Sequence, residues 1–154
     1  MKNEFMSRAI ALSIESVRKG GGPFGSLIVK DNKIISEGFN QVTSTNDPIA
    51  HGEIVAIRNS CKILNSFSLK GCDLYTSCEP CPMCMSAIYW ARIDNVYYAN
   101  TRDDAKKIDF DDSLIYEQLT KSIKERKIRM TQLMRNEALK AFELWDKKTD
   151  KVKY

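Results

Sequence analysis

The sequence predicts an α/β fold in which one sheet is covered by helices on both faces. Short runs rich in β-branched and aromatic residues alternate with longer segments of helical periodicity. Such alternation is typical of a three-layer α-β-α sandwich. The length of 154 residues, with 43% hydrophobic and 29% charged residues, suits one globular domain of ordinary size. We therefore expect a single domain over residues 1–154.

The first third of the chain predicts one helix followed by a β-hairpin. A helix is expected over residues 4–17, whose apolar side chains recur roughly on one face: Phe5, Ala9, Ile10, Leu12 and Val17. The β-rich runs 24–30 and 33–39 follow, separated by Asp31-Asn32, which suits a tight turn. The glycines of "GGGPFG" end a helix and enter a strand. This order is the reverse of a dinucleotide-binding fingerprint, so we interpret them as a turn.

The rest of the chain continues the alternation and then becomes helical. The expected elements are a helix from about His51 to Leu64, a strand at 72–77, a helix from about Cys81 to Arg92, a strand at 95–99, a short helix near 114–119 and a last helix over 136–148. The last helix carries Leu139, Phe142 and Trp145 on one side.

Composition argues against a membrane or secreted protein. No uninterrupted apolar run approaches the roughly 18 residues that a membrane span needs. The first residues, "MKNEFMSRAIALSIES", lack the apolar stretch of a signal peptide. Five cysteines form an odd count, which suits reduced thiols or metal ligands rather than a disulfide framework. We expect a cytoplasmic protein.

Charge is distributed unevenly along the chain. Residues 121–154 carry 11 Lys or Arg against 5 Asp or Glu, whereas residues 1–120 carry 13 against 15. A basic segment of this kind could contact nucleic acid. The solvated surface of terminal helices explains it equally simply, and we favour that interpretation.

Three cysteines in "SCEPCPMC" are spaced evenly, at residues 78, 81 and 84. An iron–sulfur cluster would need a fourth thiolate, and position 88 is Ile. Cys81 is placed to precede a helix whose first turn begins with proline, and Cys84 lies three residues further on the same face. The positive end of that helix favours thiolates, so Cys81 and Cys84 are the predicted pair. The remaining cysteines are expected to be packed thiols: Cys61, Cys72 and Cys78.

The single histidine completes a candidate metal site. His51 lies in "AHGEI" at an expected helix start, where it could meet Cys81 and Cys84. Three protein ligands leave the fourth tetrahedral position of zinc to water, as in catalytic zinc sites. Zinc can lower the pKa of such water to roughly 7. Glu53, free of the metal, could then move protons between water and substrate. A closed structural zinc site would need a fourth ligand.

Two motifs together resemble a known enzyme superfamily. "HGE" at 51–53 and "PCPMC" at 80–84 match the H-x-E…P-C-x-x-C signature of the zinc-dependent cytidine deaminases. Within that superfamily, the chain is similar to the bacterial guanine deaminases over nearly its whole length. The segments that carry this similarity are "GGPFG", "EGFN", "TSTNDPIAH", "YTSCEPCPMC", "AIYWAR" and "FDDS". Family members often have alanine at Gly52, although fungal cytosine deaminases also have glycine there.

The resemblance implies a fold, a cofactor and a reaction. The implied fold is cytidine deaminase-like, with a mixed five-stranded sheet at the centre of the sandwich. One zinc ion per subunit would be held by His51, Cys81 and Cys84. The reaction would convert guanine and water to xanthine and ammonia, with Glu53 and Asp112 moving the protons.

The resemblance also implies a purine-binding pocket and a homodimer. The positions expected to bind the substrate are Phe24, Asn40, Gly52, Trp90 and Tyr154. Asn40 would hydrogen-bond the purine edge, and Phe24 and Trp90 would flank the ring. Tyr154 would reach the active site of a second subunit, because C-terminal segments of about 121–154 would be exchanged.

Other functions stay open at this stage. tRNA-specific adenosine deaminases share the zinc motif, and the basic segment would suit RNA. However, they tend to have "PVGA" where this chain has "PFGS", and they lack "FDDS" and Trp90. Cytosine or another small aminated ring is a further possible substrate, and a zinc module without catalysis is the remaining alternative.

Overall fold

The computed structural model describes all 154 residues, which form two compact units, residues 1–112 and 113–154. The first unit is built on a mixed four-stranded sheet with the strand order β2-β1-β3-β4. The strands are β1 Gly25–Lys30, β2 Lys33–Phe39, β3 Cys72–Cys78 and β4 Asn95–Asn100. Strand β1 pairs antiparallel with β2 and β3, whereas β3 and β4 are parallel. The first unit therefore has a mixed sheet, as expected.

The prediction of a five-stranded sheet is wrong, because the sheet has four strands. Directly after β4, Thr101 and Asp104 form a reciprocal capping box that starts a short helix. Residues 113–154 then contain only helices and loops, so no later segment pairs with the free edge of β4. The four strands that form are those recognised from the β-rich runs.

The predicted hairpin is confirmed between β1 and β2. Asp31 and Asn32 form the turn with φ angles of 49° and 59°. Two positive φ angles are required in the type I′ turn, which matches the twist of the flanking strands. Asp and Asn tolerate this conformation better than other non-glycine residues, so the turn residues themselves set the hairpin register.

The first unit contains five helices. They are α1 Lys2–Arg18, α2 Val42–Thr45, α3 Gly52–Ile63, α4 Pro82–Ala91 and α5 Arg102–Lys106. The long helices α1, α3 and α4 were predicted, with bounds that agree within about two residues. The single-turn helices α2 and α5 were not, since they lack a periodic apolar pattern. None of the helices is both long and apolar enough to cross a membrane.

The helices cover both faces of the sheet, which confirms the sandwich. On one face, α1 packs its buried side chains against β1 and β3; this cluster comprises Ala9, Leu12, Leu27, Val29 and Tyr75. On the other face, α3 and α4 pack against a second cluster, which includes Ile28, Ile57, Leu74 and Ile88. Alternate residues of β1 thus point to opposite layers. Ile10 and Val17 of α1 are exposed, so the predicted apolar face was drawn too wide.

The start of α3 lies very close to β2. A Cβ atom at Gly38 would lie 2.3 Å from the carbonyl oxygen of Gly52 and 2.6 Å from the amide nitrogen of Ala56. Only glycine permits that approach. This contact fixes the height of the first turn of α3 above the sheet, and with it the position of the residues at the helix start.

The second unit comprises α6 Ser113–Thr120, a 3-10 helix Ile123–Glu125 and α7 Arg135–Lys147. Both predicted C-terminal helices are present. No residue of this unit is buried, and α7 exposes the large apolar side chains of Phe142 and Leu144.

Candidate active site

The ends of two helices create the metal site. His51 is the N-cap of α3 and Cys81 is the N-cap of α4, both with extended backbone angles. Neither side chain caps its own helix, so both are free to point beyond the helix ends. Cys84 follows in the first turn of α4, after the proline at the first helical position. The ligand atoms of His51, Cys81 and Cys84 all lie within 4.8 Å of one another.

The spacing of these atoms fits a zinc ion. The Sγ atoms of Cys81 and Cys84 each lie 3.6 Å from Nδ1 of His51. In a tetrahedral zinc site, bond lengths of about 2.3 Å to sulfur and 2.0 Å to nitrogen separate these ligands by about 3.5 Å. Two thiolates and one imidazole also suit zinc chemically and leave a fourth position open. The predicted ligand set is therefore assembled in a geometry that can hold zinc.

The electrostatics of the cluster favour an anionic sulfur. A hydrogen bond from the Cys84 thiol, together with the neighbouring His51, lowers the pKa of Cys81 to about 4. The same pairing raises the pKa of Cys84. The hydrogen bond with Cys81 raises the pKa of His51. Without metal, the Cys81 sulfur is thus the more acidic of the two thiols, whereas binding of a metal ion would require both sulfurs to be thiolates.

Glu53 lies beside the cluster in the first turn of α3 and is buried. Burial raises the pKa of its carboxyl group above the usual value. Its Oε1 atom accepts a hydrogen bond from the hydroxyl group of Thr76 at 3.4 Å. A carboxyl group with a raised pKa beside a metal site is suited to accept and return a proton near neutral pH.

Asn40 follows the end of β2 and is buried. Its amide nitrogen in the backbone donates to the carbonyl oxygen of Phe24 at 2.9 Å, and its own carbonyl accepts from Ser16 Oγ at 3.3 Å. The side-chain Oδ1 accepts from the amide of Val42 at 3.2 Å. These bonds fix the side chain and leave its NH₂ group as the end that can donate to a ligand.

Phe24 packs edge-on against Phe110, with ring centroids 4.9 Å apart and an interplanar angle of 88°. Edge-to-face pairs of this kind stabilise the position of both rings. Phe110 was not predicted to be a site residue, although it begins the "FDDS" segment. A single aromatic residue in an acidic loop has no periodic partner in the sequence that would indicate where its ring packs.

Asp112 is partly buried and faces a cation. Its Oδ1 lies 3.8 Å from the guanidinium group of Arg102. Burial raises the pKa of Asp112, and the charge of Arg102 opposes that increase. The backbone amide of Arg102 donates to the carboxylate of Glu79, next to the cysteine motif, at 3.1 Å. Arg102 is a second residue that sequence reasoning missed, because nothing local indicates its contact with Asp112.

The family model of the cytidine and deoxycytidylate deaminase zinc-binding region matches residues 1–100. The chain belongs to this deaminase family.

Two relatives illustrate the breadth of the similarity. Guanine deaminase of Bacillus subtilis (strain 168) is 50% identical over 151 residues, which are 97% of each chain. A tRNA-specific adenosine deaminase of Aquifex aeolicus (strain VF5) is 40% identical over 98 residues, which are 64% of this chain and 65% of that protein. The first similarity includes both units, whereas the second is partial.

Two solved structures of guanine deaminases superpose on the chain. The X-ray structure of guanine deaminase from Bacillus subtilis superposes with a TM-score of 0.96 at 50% identity, covering 99% of this chain and 98% of that chain. Guanine deaminase from Nitrosomonas europaea superposes with a TM-score of 0.67 at 26% identity, covering 89% and 70% of the two chains.

Three further residues were predicted to bind the substrate: Gly52, Trp90 and Tyr154. Gly52 is the first residue of α3, and a Cβ atom there would lie 3.2 Å from the hydroxyl oxygen of Ser26. Trp90 lies near the C-terminal end of α4 and is 65% exposed. Tyr154 is exposed at the end of the second unit. Their roles toward a substrate stay predictions.

The other cysteines are all free thiols, as expected. Cys72 and Cys78 are buried, and Cys61 is partly buried. Burial raises the pKa of Cys78 to about 11, and the group of converging ligand atoms comprises His51, Cys81 and Cys84 but not Cys78. The structure therefore separates the two ligand cysteines from their three neighbours, as the spacing indicated.

Proposed function

We propose that the protein is a zinc-dependent guanine deaminase, which hydrolyses guanine to xanthine and ammonia. The observation that carries the proposal is the convergence of His51, Cys81 and Cys84 beside the buried Glu53. This site lies in a chain that matches a bacterial guanine deaminase over 97% of both lengths. The proposed role is in purine breakdown and salvage. The five free thiols support a location in the reducing cytoplasm.

Different residues of this chain have different roles in the proposed reaction. Zinc, when bound by His51, Cys81 and Cys84, supplies the Lewis acidity that makes water a nucleophile near neutral pH. Glu53 takes a proton from the attacking water and delivers it to the ring nitrogen beside the reacting carbon. Burial raises the pKa of Glu53, which favours the protonated form that must donate to the ring nitrogen. Asp112 then helps to pass protons to the departing amine.

Binding of the purine is assigned to the residues around the cluster. The Asn40 side chain, fixed through its Oδ1 atom, donates from its NH₂ group to the acceptor edge of guanine. Phe24 contacts the ring face and is itself held by Phe110. Exclusion of water by these rings strengthens the polar contacts inside the site. Trp90 and the second subunit's copy of the C-terminal tyrosine complete the proposed pocket.

Guanine is favoured over adenosine in tRNA because the similarity to a guanine deaminase covers more of the chain than the similarity to a tRNA-specific adenosine deaminase. The tRNA-specific adenosine deaminase of Aquifex aeolicus matches 64% of this chain, whereas the guanine deaminase of Bacillus subtilis matches 97%. Steady-state rates over a range of ionic strength separate the two functions. Turnover of a neutral base should barely respond to salt, whereas binding of tRNA should weaken steeply.

The decisive test is the ultraviolet spectrum of guanine over time with zinc-loaded protein. We expect conversion to xanthine by the wild type, and a loss of at least about a hundredfold in kcat for Glu53→Gln with unchanged zinc content. Cytosine and a tRNA adenosine substrate are measured in parallel. Inosine in tRNA without conversion of guanine would overturn the proposal.

We further propose that the protein forms a homodimer in which segments of about 121–154 are exchanged. The support lies in the second unit, which buries no residue of its own and exposes Phe142, Leu144 and Trp145 on α7. Unpartnered apolar surfaces of this kind mark interfaces. Light scattering after size exclusion should give a dimer for the wild type and a monomer for Phe142→Ser/Trp145→Ser. A wild-type monomer at high protein concentration would refute the exchange.

A further inference from the structure

Behind Glu53, the structure contains a buried chain of hydroxyl groups. Ser26 on β1 and Thr76 on β3 are directly opposite each other in the antiparallel pair. Ser26 Oγ donates to Thr76 Oγ1 at 2.9 Å, and Thr76 Oγ1 donates to Oε1 of Glu53 at 3.4 Å. Both hydroxyl-bearing residues are almost completely inaccessible to solvent. The chain therefore connects the centre of the sheet to the carboxylate at the start of α3.

The direction of this chain is fixed by its members. A hydroxyl group has one proton to donate, so Thr76 cannot donate to Ser26 while it donates to Glu53, and Ser26 must be the donor in the other bond. In this arrangement the Thr76 hydroxyl proton points to Oε1 of Glu53. Since all three groups are buried, water does not compete for these bonds.

The space around the chain is limited. A Cβ atom at Gly52 would lie 3.2 Å from Ser26 Oγ and 3.3 Å from the carbonyl oxygen of Phe24. The Ser26 hydroxyl thus lies under the first turn of α3, one residue from Glu53. The absent side chain at Gly52 leaves room for that hydroxyl group. The distance of 3.4 Å from Thr76 Oγ1 to Glu53 Oε1 is longer than the usual hydroxyl–carboxylate distance of about 2.7 Å, so this bond is the weaker of the two in the chain.

We propose that Thr76, supported by Ser26, is a positioning residue that holds the Glu53 carboxylate toward the reacting atoms. This inference rests on the proposed function, since it assigns a partner to the proton-transfer group of that reaction. Thr76 acts through Glu53 and touches neither the metal ligands nor the substrate in this role. Its loss should therefore reduce kcat and leave KM and zinc content unchanged.

A second hydroxyl pair provides a matched control. Ser36 on β2 contacts Ser60 near the end of α3, with 2.6 Å between the two Oγ atoms, and also donates to the carbonyl oxygen of Ala56 at 2.7 Å. Ser60 is as buried as Thr76. This pair also attaches α3 to the sheet, but it lies more than a helical turn beyond Glu53. Ser60→Ala therefore tests loss of a buried hydroxyl group without loss of the contact to Glu53.

The experiment compares four variants of the zinc-loaded, full-length protein with the wild type: Thr76→Val, Thr76→Ser, Ser26→Ala/Thr76→Val and Ser60→Ala. The double variant removes both hydroxyl groups, so neither is left buried without a partner and the fold is spared that cost. Values of kcat and KM are measured on the base that the wild type deaminates, with zinc content and melting temperature recorded for each protein. Inactivity of the wild type toward guanine would contradict the proposed function; the comparison would then use the base that is turned over.

We expect kcat to fall about tenfold or more in Thr76→Val and in the double variant, with KM within about twofold of the wild type. Thr76→Ser keeps the hydroxyl group and should stay within about twofold of the wild-type kcat, as should Ser60→Ala. Wild-type kcat in Thr76→Val would overturn the proposal. So would an equal loss in Thr76→Ser or Ser60→Ala, or a loss of zinc from Thr76→Val, since each would indicate a structural role.

Discussion

The two units of this chain differ in how their residues are stabilised. Residues 1–112 contain every buried residue of the protein, two hydrophobic clusters and all the metal ligands. Residues 113–154 contain two helices and a 3-10 turn, with no buried residue. The amphipathic pattern of α7 is present, but its apolar side chains are exposed.

We assign the chemistry of the proposed function to the first unit, and the proposed association to the second. The metal ligands depend on the sheet and on helices α3 and α4, all of which lie in the first unit. The second unit cannot gain the burial that most helices need for stability from its own residues. We therefore expect substitutions in the first unit to affect zinc, catalysis or folding directly, and those in the second to act through association.

The largest effect is expected from removal of a metal ligand in the first unit. Cys84→Ser should abolish stoichiometric zinc binding and reduce kcat/KM by more than about a hundredfold, because loss of a direct ligand exceeds the cost of changes around it. Cys61→Ser, at the far end of α3, is the matched control and should retain both properties. Metal analysis by mass spectrometry and the guanine assay provide the measurements. Full zinc content in Cys84→Ser would refute the assigned ligand set.

A smaller effect is expected on the free energy of unfolding, which should respond differently to a leucine-to-alanine substitution in each unit. Leu74→Ala in β3 removes a fully buried side chain and should lower the free energy of unfolding by about 3 kcal/mol at every protein concentration. Leu144→Ala on α7 removes an exposed side chain and should change it by less than about 0.5 kcal/mol in the monomer. Urea unfolding at several protein concentrations measures both. A large cost of Leu144→Ala in dilute monomer would contradict the comparison.

The smallest expected effect is a change of stability with pH that comes from two capping boxes, one in each unit. Hydrogen bonds from the backbone and side chain of Thr101 lower the pKa of Asp104 to about 2. Hydrogen bonds from the Ser122 side chain and backbone likewise lower the pKa of Glu125. A depressed carboxyl pKa contributes stability above the unfolded value of about 4, which is lost as pH falls through the folded value.

Titration by NMR should therefore show both carboxyl groups ionising below their unfolded values. The contribution of Asp104 should be complete above about pH 4 and disappear toward about pH 2. Asp104→Asn should remove this pH dependence from the first unit and leave the Glu125 titration unchanged. An ordinary pKa at Asp104 would show that its cap is not formed in solution.

Much of the fold followed from local patterns. The hairpin depends on two adjacent residues, Asp31 and Asn32, whose preference for positive φ is intrinsic. Helices α3 and α4 were located because their starts carry local signals, a polar N-terminus and a proline at the first position. The fifth strand was expected from the resemblance alone, and no β-rich run after β4 supports it.

In the candidate site, the metal ligands were predicted from the sequence, whereas some of the contacts around them were not. Its metal ligands belong to two short motifs, and helix geometry alone brings Cys81 and Cys84 together. The contacts of Phe110 and Arg102 could not be predicted: Phe110 packs against Phe24, which is distant in sequence, and Arg102 meets Asp112 only because the irregular segment after α5 turns back. No periodicity marks such contacts.

The sequence by itself determined the types of element, their order, and the residues able to bind zinc and move a proton. These properties depend on interactions between residues a few positions apart, which the chain specifies locally. Only the tertiary structure decided that the hydroxyl groups of Ser26 and Thr76 lie behind Glu53, and that the sheet ends at β4. Strand pairing sets those relationships, since it brings together residues 50 positions apart whose register no local pattern records.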